Sequence, residues 1–328
     1  MKYLPKVFIS EPIDIKGIEM LKGKAEIIVS PDTKKETALS LVGDADAVIL
    51  RATTTFDREV IEKAANLKII VRTGIGVDNV DLKFAGENGI FVCNTPGTND
   101  ETVAEHVVAM ILAFAKQIIL MDQAVRNQNW KERFSPNQID VKNKRVGIIG
   151  YGNIGFATAH FCKCLGMQVT AYDPFITHTG SEIKLTDSIE TIFRESDFVT
   201  LHCPSTPLTH KFIGAKYLGL MKKGAYLINT SRGDLIDETA LVTALRENRI
   251  SGAALDVFKE EPLAADSQLL QFPNVILSPH VAGSTKESNE RIAMAAAQAV
   301  LDTIDGKIPM NICNLDYYTN LNVNTKSA

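Results

Sequence analysis

The amino-acid sequence predicts an α/β protein made of two doubly wound parallel-sheet domains. Short β-rich runs alternate with helical patterns at the spacing of βαβ units, which buries a parallel sheet between helices on both faces. The runs fall into two series separated by one long helical stretch. The chain has 328 residues, enough for two domains at about 100–200 residues each.

The first series is KVFIS, AEIIVS, ADAVILR, LKIIVR and GIFVCN, beginning at positions 6, 25, 45, 67 and 89. From Glu101 to about Gln128 the pattern reads as one long helix, with Thr98, Asn99 and Asp100 as candidate N-caps. Its apolar stretch, Val107 to Met121, is too short to span a bilayer and is interrupted by Lys116 and Gln117, so it reads as a buried helix. The second series follows: RVGIIG, QVTAYD, DFVTLHC, GAYLINT, GAALDVF and NVILSPH. A last helical stretch, Lys286 to Asp305, comes after the second series ends and is predicted to pack back onto the first sheet. The tail from Asn311 is polar and reads as a loosely held strand or loop. One domain is therefore inserted into the other: residues 1–100 plus 285–328 form the outer domain and 101–284 the inserted one.

Composition narrows the function classes. With 45% hydrophobic and 23% charged residues the chain is ordinary globular protein. Lys and Arg number 35 against 39 Asp and Glu, a net charge of −4, which leaves no electrostatic footprint for nucleic acid or an anionic membrane. An anionic ligand must be held by local groups. MKYLPKVFIS lacks the apolar core and cleavage site of a signal peptide. The five cysteines, Cys93, Cys162, Cys164, Cys203 and Cys313, are odd in number and show no CxxC spacing. Reduced thiols, a cytoplasmic setting and no metal site are expected. Cys162 and Cys164 read as helix packing, with a redox pair as the alternative.

The clearest motif is Gly150-Tyr151-Gly152-Asn153-Ile154-Gly155, which follows the strand RVGII and opens a helical pattern. Gly150 permits the tight turn, Gly152 lets the backbone approach a pyrophosphate, and Gly155 lets helix and strand close up. The helix N-terminus then offers unpaired N–H groups to the phosphates. Asp173 ends the next strand, where a carboxylate accepts from a ribose 2′-OH and repels a 2′-phosphate, so NAD is expected over NADP. The motif reads as a Rossmann-type cofactor site, with a glycine-rich turn of any α/β protein and Asp173 as a solvated strand end as the alternative.

Three polar residues end later strands of the same series: Arg232 in INTSRGDLID, Glu261 in DVFKEEPL and His280 in ILSPHVAG. Hydride transfer to a ketone leaves an alkoxide that needs a proton donor, and histidine is the side chain that changes protonation near neutral pH. A carboxylate such as Glu261 bonded to the imidazole would favour its charged form. Arginine offers a rigid fork of donors to a carboxylate or developing oxyanion. Each has a plainer alternative: His280 beside Pro279 as a strand cap, Arg232 paired with Asp234 or Asp237, Glu261 in an acidic loop beside Glu260.

These motifs resemble the D-isomer-specific 2-hydroxyacid dehydrogenases, most closely the phosphoglycerate dehydrogenase branch. VRTGIGVDNVD, NTPGTNDETVAEH, VGIIGYGNIG, SDFVTLHCPSTPLTHKFIG, MKKGAYLINTSRGDLID, GAALDVFKEEPL and SPHVAGST stand in the family's order over nearly the whole chain. The resemblance implies a Rossmann NAD-binding domain inserted into a discontinuous, flavodoxin-like substrate domain. It makes Arg232 the substrate-orienting arginine, His280 the acid/base and Glu261 its partner. It places NAD near Thr102, Ile154, Asp173, Cys203, Pro204, Thr209, Thr230, Asp256 and Gly283, besides the glycine loop with Asn153. It also implies a homodimer joined through the NAD-binding domains and a small anionic substrate, with no nucleic acid or membrane partner.

Gly74-Ile75-Gly76 follows LKIIVR, and Asn79 stands where a third fingerprint glycine would be. The run reads as an anion nest for the substrate carboxylate rather than a second dinucleotide loop. Arg51 and Arg133 stand where the phosphoglycerate branch meets a distal phosphate; a solvated surface arginine is the alternative for each. The short remainder after the last helix predicts no regulatory domain. Within the family the expected reaction is 3-phosphoglycerate to 3-phosphohydroxypyruvate, the entry to serine biosynthesis. A glyoxylate or hydroxypyruvate reductase, or another D-2-hydroxyacid dehydrogenase, is the alternative. A formate-type enzyme is disfavoured because Glu261 stands where that branch has an amide. From another class, an NAD-sensing corepressor-like protein keeps the same residues.

Overall fold

A computed structural model describes residues 3–134, 137–178 and 183–318. The chain divides into two compact units, residues 1–99 with 284–328, and residues 100–283.

In the first unit, β1 (Lys6–Ile9), α1 (Ile15–Leu21), β2 (Glu26–Val29), α2 (Lys35–Leu41), β3 (Ala47–Leu50), α3 (Arg58–Lys63), β4 (Ile69–Arg72), α4 (Leu82–Glu87) and β5 (Phe91–Cys93) alternate strictly. The five strands are all parallel in the order β2-β1-β3-β4-β5, the doubly wound order with its switch point between β1 and β3. β3 is buried at all four positions, AVIL, as a strand covered on both faces must be. One face packs Phe8, Val48, Leu50, Phe56 and Ile70. The other packs Val7, Ile49 and Val71 against Ala296, Ala297, Val300 and Leu301 of the late helix Lys286–Ile304. Thr285 caps that helix by accepting from the Ser288 amide while Ser288 accepts from Thr285.

The tail differs from the sequence expectation. Asn314 is fully buried: its Oδ1 accepts from the Val92 amide at 2.9 Å and its Nδ2 donates to the Ile90 carbonyl at 2.9 Å. With Cys313 N donating to Val92 O at 2.7 Å, residues 311–314 finish the open edge of β5. The polar residues are there to satisfy that edge. Residues 319–328 of the tail lie outside the described residues.

The second unit opens with α5 (Asp100–Lys116) and α6 (Ile118–Arg126), not with one helix. Gln117 takes a left-handed φ of 50°, which breaks the hydrogen-bond ladder, and the axis turns by 56°. α5 buries Val107, Met110, Ile111 and Phe114, whereas α6 has no fully buried residue and only Leu120, Met121 and Ala124 half-buried among the described residues. The apolar stretch to Met121 is thus half core and half surface. No single helix among the described residues is long and apolar enough to cross a membrane.

The sheet of this unit comprises β6 (Arg145–Ile149), β7 (Gln168–Tyr172), β8 (Lys184–Leu185), β9 (Phe198–Leu201), β10 (Tyr226–Asn229), β11 (Gly252–Leu255) and β12 (Val275–Leu277). α7 (Asn153–Cys164), α8 (Ile189–Glu195), α9 (Ala215–Leu220) and α10 (Glu238–Arg246) connect them, and Lys286–Ile304 is α11. The strand order is β12-β11-β10-β9-β6-β7-β8, all parallel. This is one strand more than the six runs read from the sequence, because β8 is only two residues long and carries no apolar pattern. The order reverses between β6 and β9, so the ligand crevice of a Rossmann fold falls at their carboxyl ends.

Candidate active site

The glycine loop leaves β6 at that switch point. Gly150 has φ +92°, and a Cβ there would stand 2.6 Å from the His202 carbonyl carbon at the end of β9. A Cβ on Gly155 would run into the Gly150 carbonyl, while one on Gly152 would meet nothing within 4 Å. Gly150 and Gly155 close the fold up; Gly152 faces open space, the cradle a phosphate needs. Asn153 opens α7 with Ile154 behind it, and Gly152 is the N-cap. Asp173 holds the loop as well, its Oδ2 accepting from the Tyr151 amide at 2.8 Å and its Oδ1 from the Phe175 amide at 2.9 Å. A carboxylate has about four acceptor positions, so capacity remains for ribose hydroxyls.

Cys203 belongs to the same corner. Burial, with the Asp173 charge adding to it, pushes its thiol up to about 11. The Thr209 hydroxyl donates to Pro204 O at 2.7 Å and accepts from the Thr206 amide at 2.8 Å, so it shapes the loop after β9. Thr230 Oγ1 is buried with no hydrogen-bond partner among the described residues. An orphaned buried hydroxyl costs free energy unless a ligand satisfies it. Open space over Gly152, a carboxylate at Asp173 and a waiting hydroxyl at Thr230 fit a dinucleotide. Thr102 is buried near the start of α5, and Gly283 is half-buried at the end of the unit. Cys162 is buried, its thiol raised to about 12 by desolvation, and Cys164 is exposed on another face of α7, which favours packing over a redox pair.

Arg232, Glu261 and His280 follow β10, β11 and β12, three neighbouring strands, at one edge of the sheet. Arg232 is presented by a turn that the fully buried Asn229 closes, donating to Arg232 O at 2.8 Å and accepting from the Ser231 amide at 3.0 Å. Sequence reasoning passed over Asn229; a lone amide in INTSR carries no signal of its own. A Cβ on Gly233 would strike the Phe258 backbone, so this turn abuts the loop that carries Glu261. Asp237 caps α10, and Asp234 lies 3.5 Å from His210 Nδ1.

His280 Nδ1 lies 2.7 Å from Glu261 Oε2, and Glu261 Oε1 accepts from the Phe258 amide at 3.0 Å. His280 has a left-handed φ of 54°, a conformation a non-glycine residue keeps only where its surroundings enforce it. Asp256, fully buried, does so: Oδ1 accepts from Ser278 Oγ at 2.6 Å and Val281 N at 2.9 Å, Oδ2 from Ala282 N at 2.8 Å, and its carbonyl from His280 N at 2.8 Å. The resemblance placed Asp256 beside the cofactor; in the structure three of its acceptor positions serve the histidine loop.

In the first unit the nest is smaller than expected. Gly74, at φ +112°, gives its amide to Thr95 Oγ1 at 2.8 Å, which takes it out of the anion seat. The Ile75 and Gly76 amides form no hydrogen bond among the described residues. Arg51 directly follows β3, with Nη1 on the Pro12 carbonyl at 3.1 Å. Arg133, in the second unit, lies over the Phe134 ring at 5.1 Å.

A Rossmann-type sheet, a fitted glycine loop and a carboxylate-paired histidine define a dinucleotide-dependent oxidoreductase scaffold. Residues 108–282 match the D-isomer specific 2-hydroxyacid dehydrogenase NAD binding domain. The chain belongs to the D-isomer-specific 2-hydroxyacid dehydrogenase family, and its second unit is an NAD-binding domain. It is 38% identical over 314 residues to the D-3-phosphoglycerate dehydrogenase of Archaeoglobus fulgidus, covering 94% of this chain and 59% of that protein. It is also 38% identical over 326 residues to the glyoxylate reductase of Thermococcus litoralis, covering 96% and 98%. The TT0316 protein of Thermus thermophilus is similar in structure, with a TM-score of 0.87 at 33% identity, covering 94% of this chain and 99% of that one. The chain spans a little over half the length of the phosphoglycerate dehydrogenases it matches.

Proposed function

We propose that the protein is an NAD-dependent dehydrogenase of small D-2-hydroxyacids, oxidising 3-phosphoglycerate to 3-phosphohydroxypyruvate. The observation that carries the reaction class is the 2.7 Å pair of His280 Nδ1 and Glu261 Oε2. It commits Nδ1 to the carboxylate and leaves Nε2 as the nitrogen for chemistry. When bound, the nicotinamide supplies hydride acceptance. His280 Nε2 takes the C2 hydroxyl proton, and in the reverse direction returns it to the carbonyl oxygen. Arg232 orients the carboxylate and stabilises charge on that oxygen. The Ile75 and Gly76 amides seat the carboxylate, Asp173 selects NAD, and Arg51 and Arg133 receive the phosphate.

The substrate assignment is tested by steady-state rates on 3-phosphoglycerate, D-glycerate, D-lactate and the matching ketoacids. A phosphate-reading site favours 3-phosphoglycerate over D-glycerate by about 100-fold in kcat/KM, and Arg51→Ala removes most of that ratio. Equal turnover with and without the phosphate overturns the substrate and leaves the reaction class. A second reading, a glyoxylate or hydroxypyruvate reductase, is supported by the 38% identity to the Thermococcus litoralis enzyme and by the local partners of Arg51 and Arg133. High turnover of glyoxylate or hydroxypyruvate with NADH selects it.

The proposed assembly is a homodimer through the NAD-binding units. Ile118, Ile119 and Val125 on α6 stay exposed, as do Trp130 and Phe134 just beyond it, a large apolar area for a single chain to leave open. Sedimentation of the wild type and of Ile118→Glu distinguishes dimer from monomer. The five free thiols agree with the proposed cytoplasmic setting.

A further inference from the structure

The hydrogen bonds that hold His280 do not end at Asp256. Ser278 Oγ, 2.6 Å from Asp256 Oδ1, also lies 3.2 Å from Nε2 of His106 on α5. A serine has one proton to give, and the short contact to a carboxylate takes it, because a charge-assisted O–H···O⁻ bond is the stronger. His106 must then be the donor, with its proton on Nε2 and the Ser278 oxygen as acceptor. Nε2 is also 4.0 Å from Asp256 Oδ1, with the histidine side chain 28% exposed and the aspartate 1%. One ordered chain runs from α5 through Ser278 to the buried carboxylate and from there to the amides of Val281 and Ala282.

The geometry points to His106 as a positioning residue for His280: by donating to Ser278 it fixes the direction of the Ser278 proton, holds the Asp256 carboxylate, and so keeps the 278–282 loop in the left-handed turn that presents the imidazole. The logic is one of over-determination. His280 at φ 54° pays a local conformational penalty, and Asp256 can offset it only while its oxygens stay aimed at Val281 and Ala282. A carboxylate bound only by backbone amides can still rotate. Ser278 fixes one oxygen, and His106 fixes Ser278 against a helix from the other end of the unit's sequence. His106 itself touches neither the reacting atoms nor the cofactor in this scheme. Its catalytic consequence rests on the proposed role of His280, but the loop geometry does not.

The test uses the full-length protein and the variants His106→Ala, His106→Gln and Ser278→Ala. Amide hydrogen exchange, measured without cofactor, reads the loop directly. His106→Ala and Ser278→Ala should raise exchange at Val281 and Ala282 about tenfold, the loss expected for one buried charge-linked hydrogen bond, while His106→Gln, which keeps a donor at the Nε2 position, stays within about threefold. In turnover, His106→Ala should lower kcat about tenfold with KM and NADH affinity within about twofold, and His106→Gln should restore it. The double variant His106→Ala with Ser278→Ala should be no worse than Ser278→Ala alone, since both cut one chain. Unchanged exchange in His106→Ala, equal damage from His106→Gln, or additive losses in the double variant overturns the inference. Should His106→Ala not fold, Ser278→Ala and His106→Gln carry the comparison. If the wild type turns over no 2-hydroxyacid, the functional reading fails and the exchange data alone decide the positioning role.

Discussion

Two loops of the NAD-binding unit follow β6 and β12, two strands of one parallel sheet with three others between them, and are built by opposite means. The loop at Gly150–Gly155 works through absent side chains: backbone packs on backbone at Gly150 and Gly155, and space is left open at Gly152. The loop at Ser278–Ala282 works through a buried one, with Asp256 accepting from Ser278, Val281 and Ala282. A surface that must bind phosphates by its amides has to remove everything that stands in front of them. A side chain that must hold a proton at a fixed point needs a second group to hold it there.

The comparison predicts that damage to the two loops separates into different measurements. The largest effect should come from His280→Ala, which loses about 10³-fold or more in kcat while NADH affinity stays within about threefold. Turnover unchanged on every 2-hydroxyacid tested, with NADH still bound, would instead support a corepressor-like binding protein. Next comes Gly155→Ala. Its Cβ would meet the Gly150 carbonyl, so α7 must move away from β6 at a cost of about 1–3 kcal/mol in unfolding free energy. NADH affinity should fall at least about tenfold by fluorescence titration, with kcat at saturating cofactor much less affected. If that variant lost turnover but bound NADH normally, the division between the loops would be wrong.

The same contrast explains what could be read from sequence. Glycines placed by steric need leave a spacing, so Gly150, Gly152 and Gly155 were legible, as were eleven of the twelve strands among the described residues, whose apolar runs follow from the helices packed on the sheets. Arg232, Glu261 and His280 were legible as residue types at strand ends. Hydrogen-bond networks leave no spacing. Asn229, Ser278 and His106 are ordinary polar residues in sequence, and only the fold brings residue 106 within 3.2 Å of residue 278. The break at Gln117 was missed for a related reason: both sides of it keep a helical pattern, and a left-handed glutamine has no signature. The Gly74 amide looked free until Thr95, twenty-one residues on, proved to take it.

A smaller effect sharpens the chemistry of the glycine loop. Asp173 accepts from two backbone amides of that corner, so Asp173→Ala both loosens the loop and removes the charge that opposes a 2′-phosphate. The ratio of kcat/KM for NAD over NADP should fall about tenfold, equivalent to ~1.4 kcal/mol. An unchanged ratio would assign cofactor choice elsewhere.

The smallest effect at neutral pH belongs to the histidine in the glycine loop's own wall. His202 sits where β9 ends, with Nε2 3.0 Å from the Thr200 hydroxyl, and desolvation lowers its imidazole from 6.5 to about 3. His280 has a carboxylate at 2.7 Å; among the described residues none pairs with His202, whose shift comes from desolvation alone. His202 is therefore neutral in the folded protein at any working pH. Because its folded value lies below its unfolded one, the unfolded chain binds a proton below pH 6.5 that the folded chain refuses until about pH 3. The stability tied to this group is present above pH 6.5 and is lost as pH falls through that window. Replacing it by His202→Gln should change the unfolding free energy little at pH 8, then shift the balance steadily toward the variant as pH drops from 6 to 4. Chemical denaturation of both proteins across that range measures the difference. A difference that stays constant with pH would mean that His202 titrates alike in both states, and that the wall beside Gly150 is wetter than the contrast between the two loops requires.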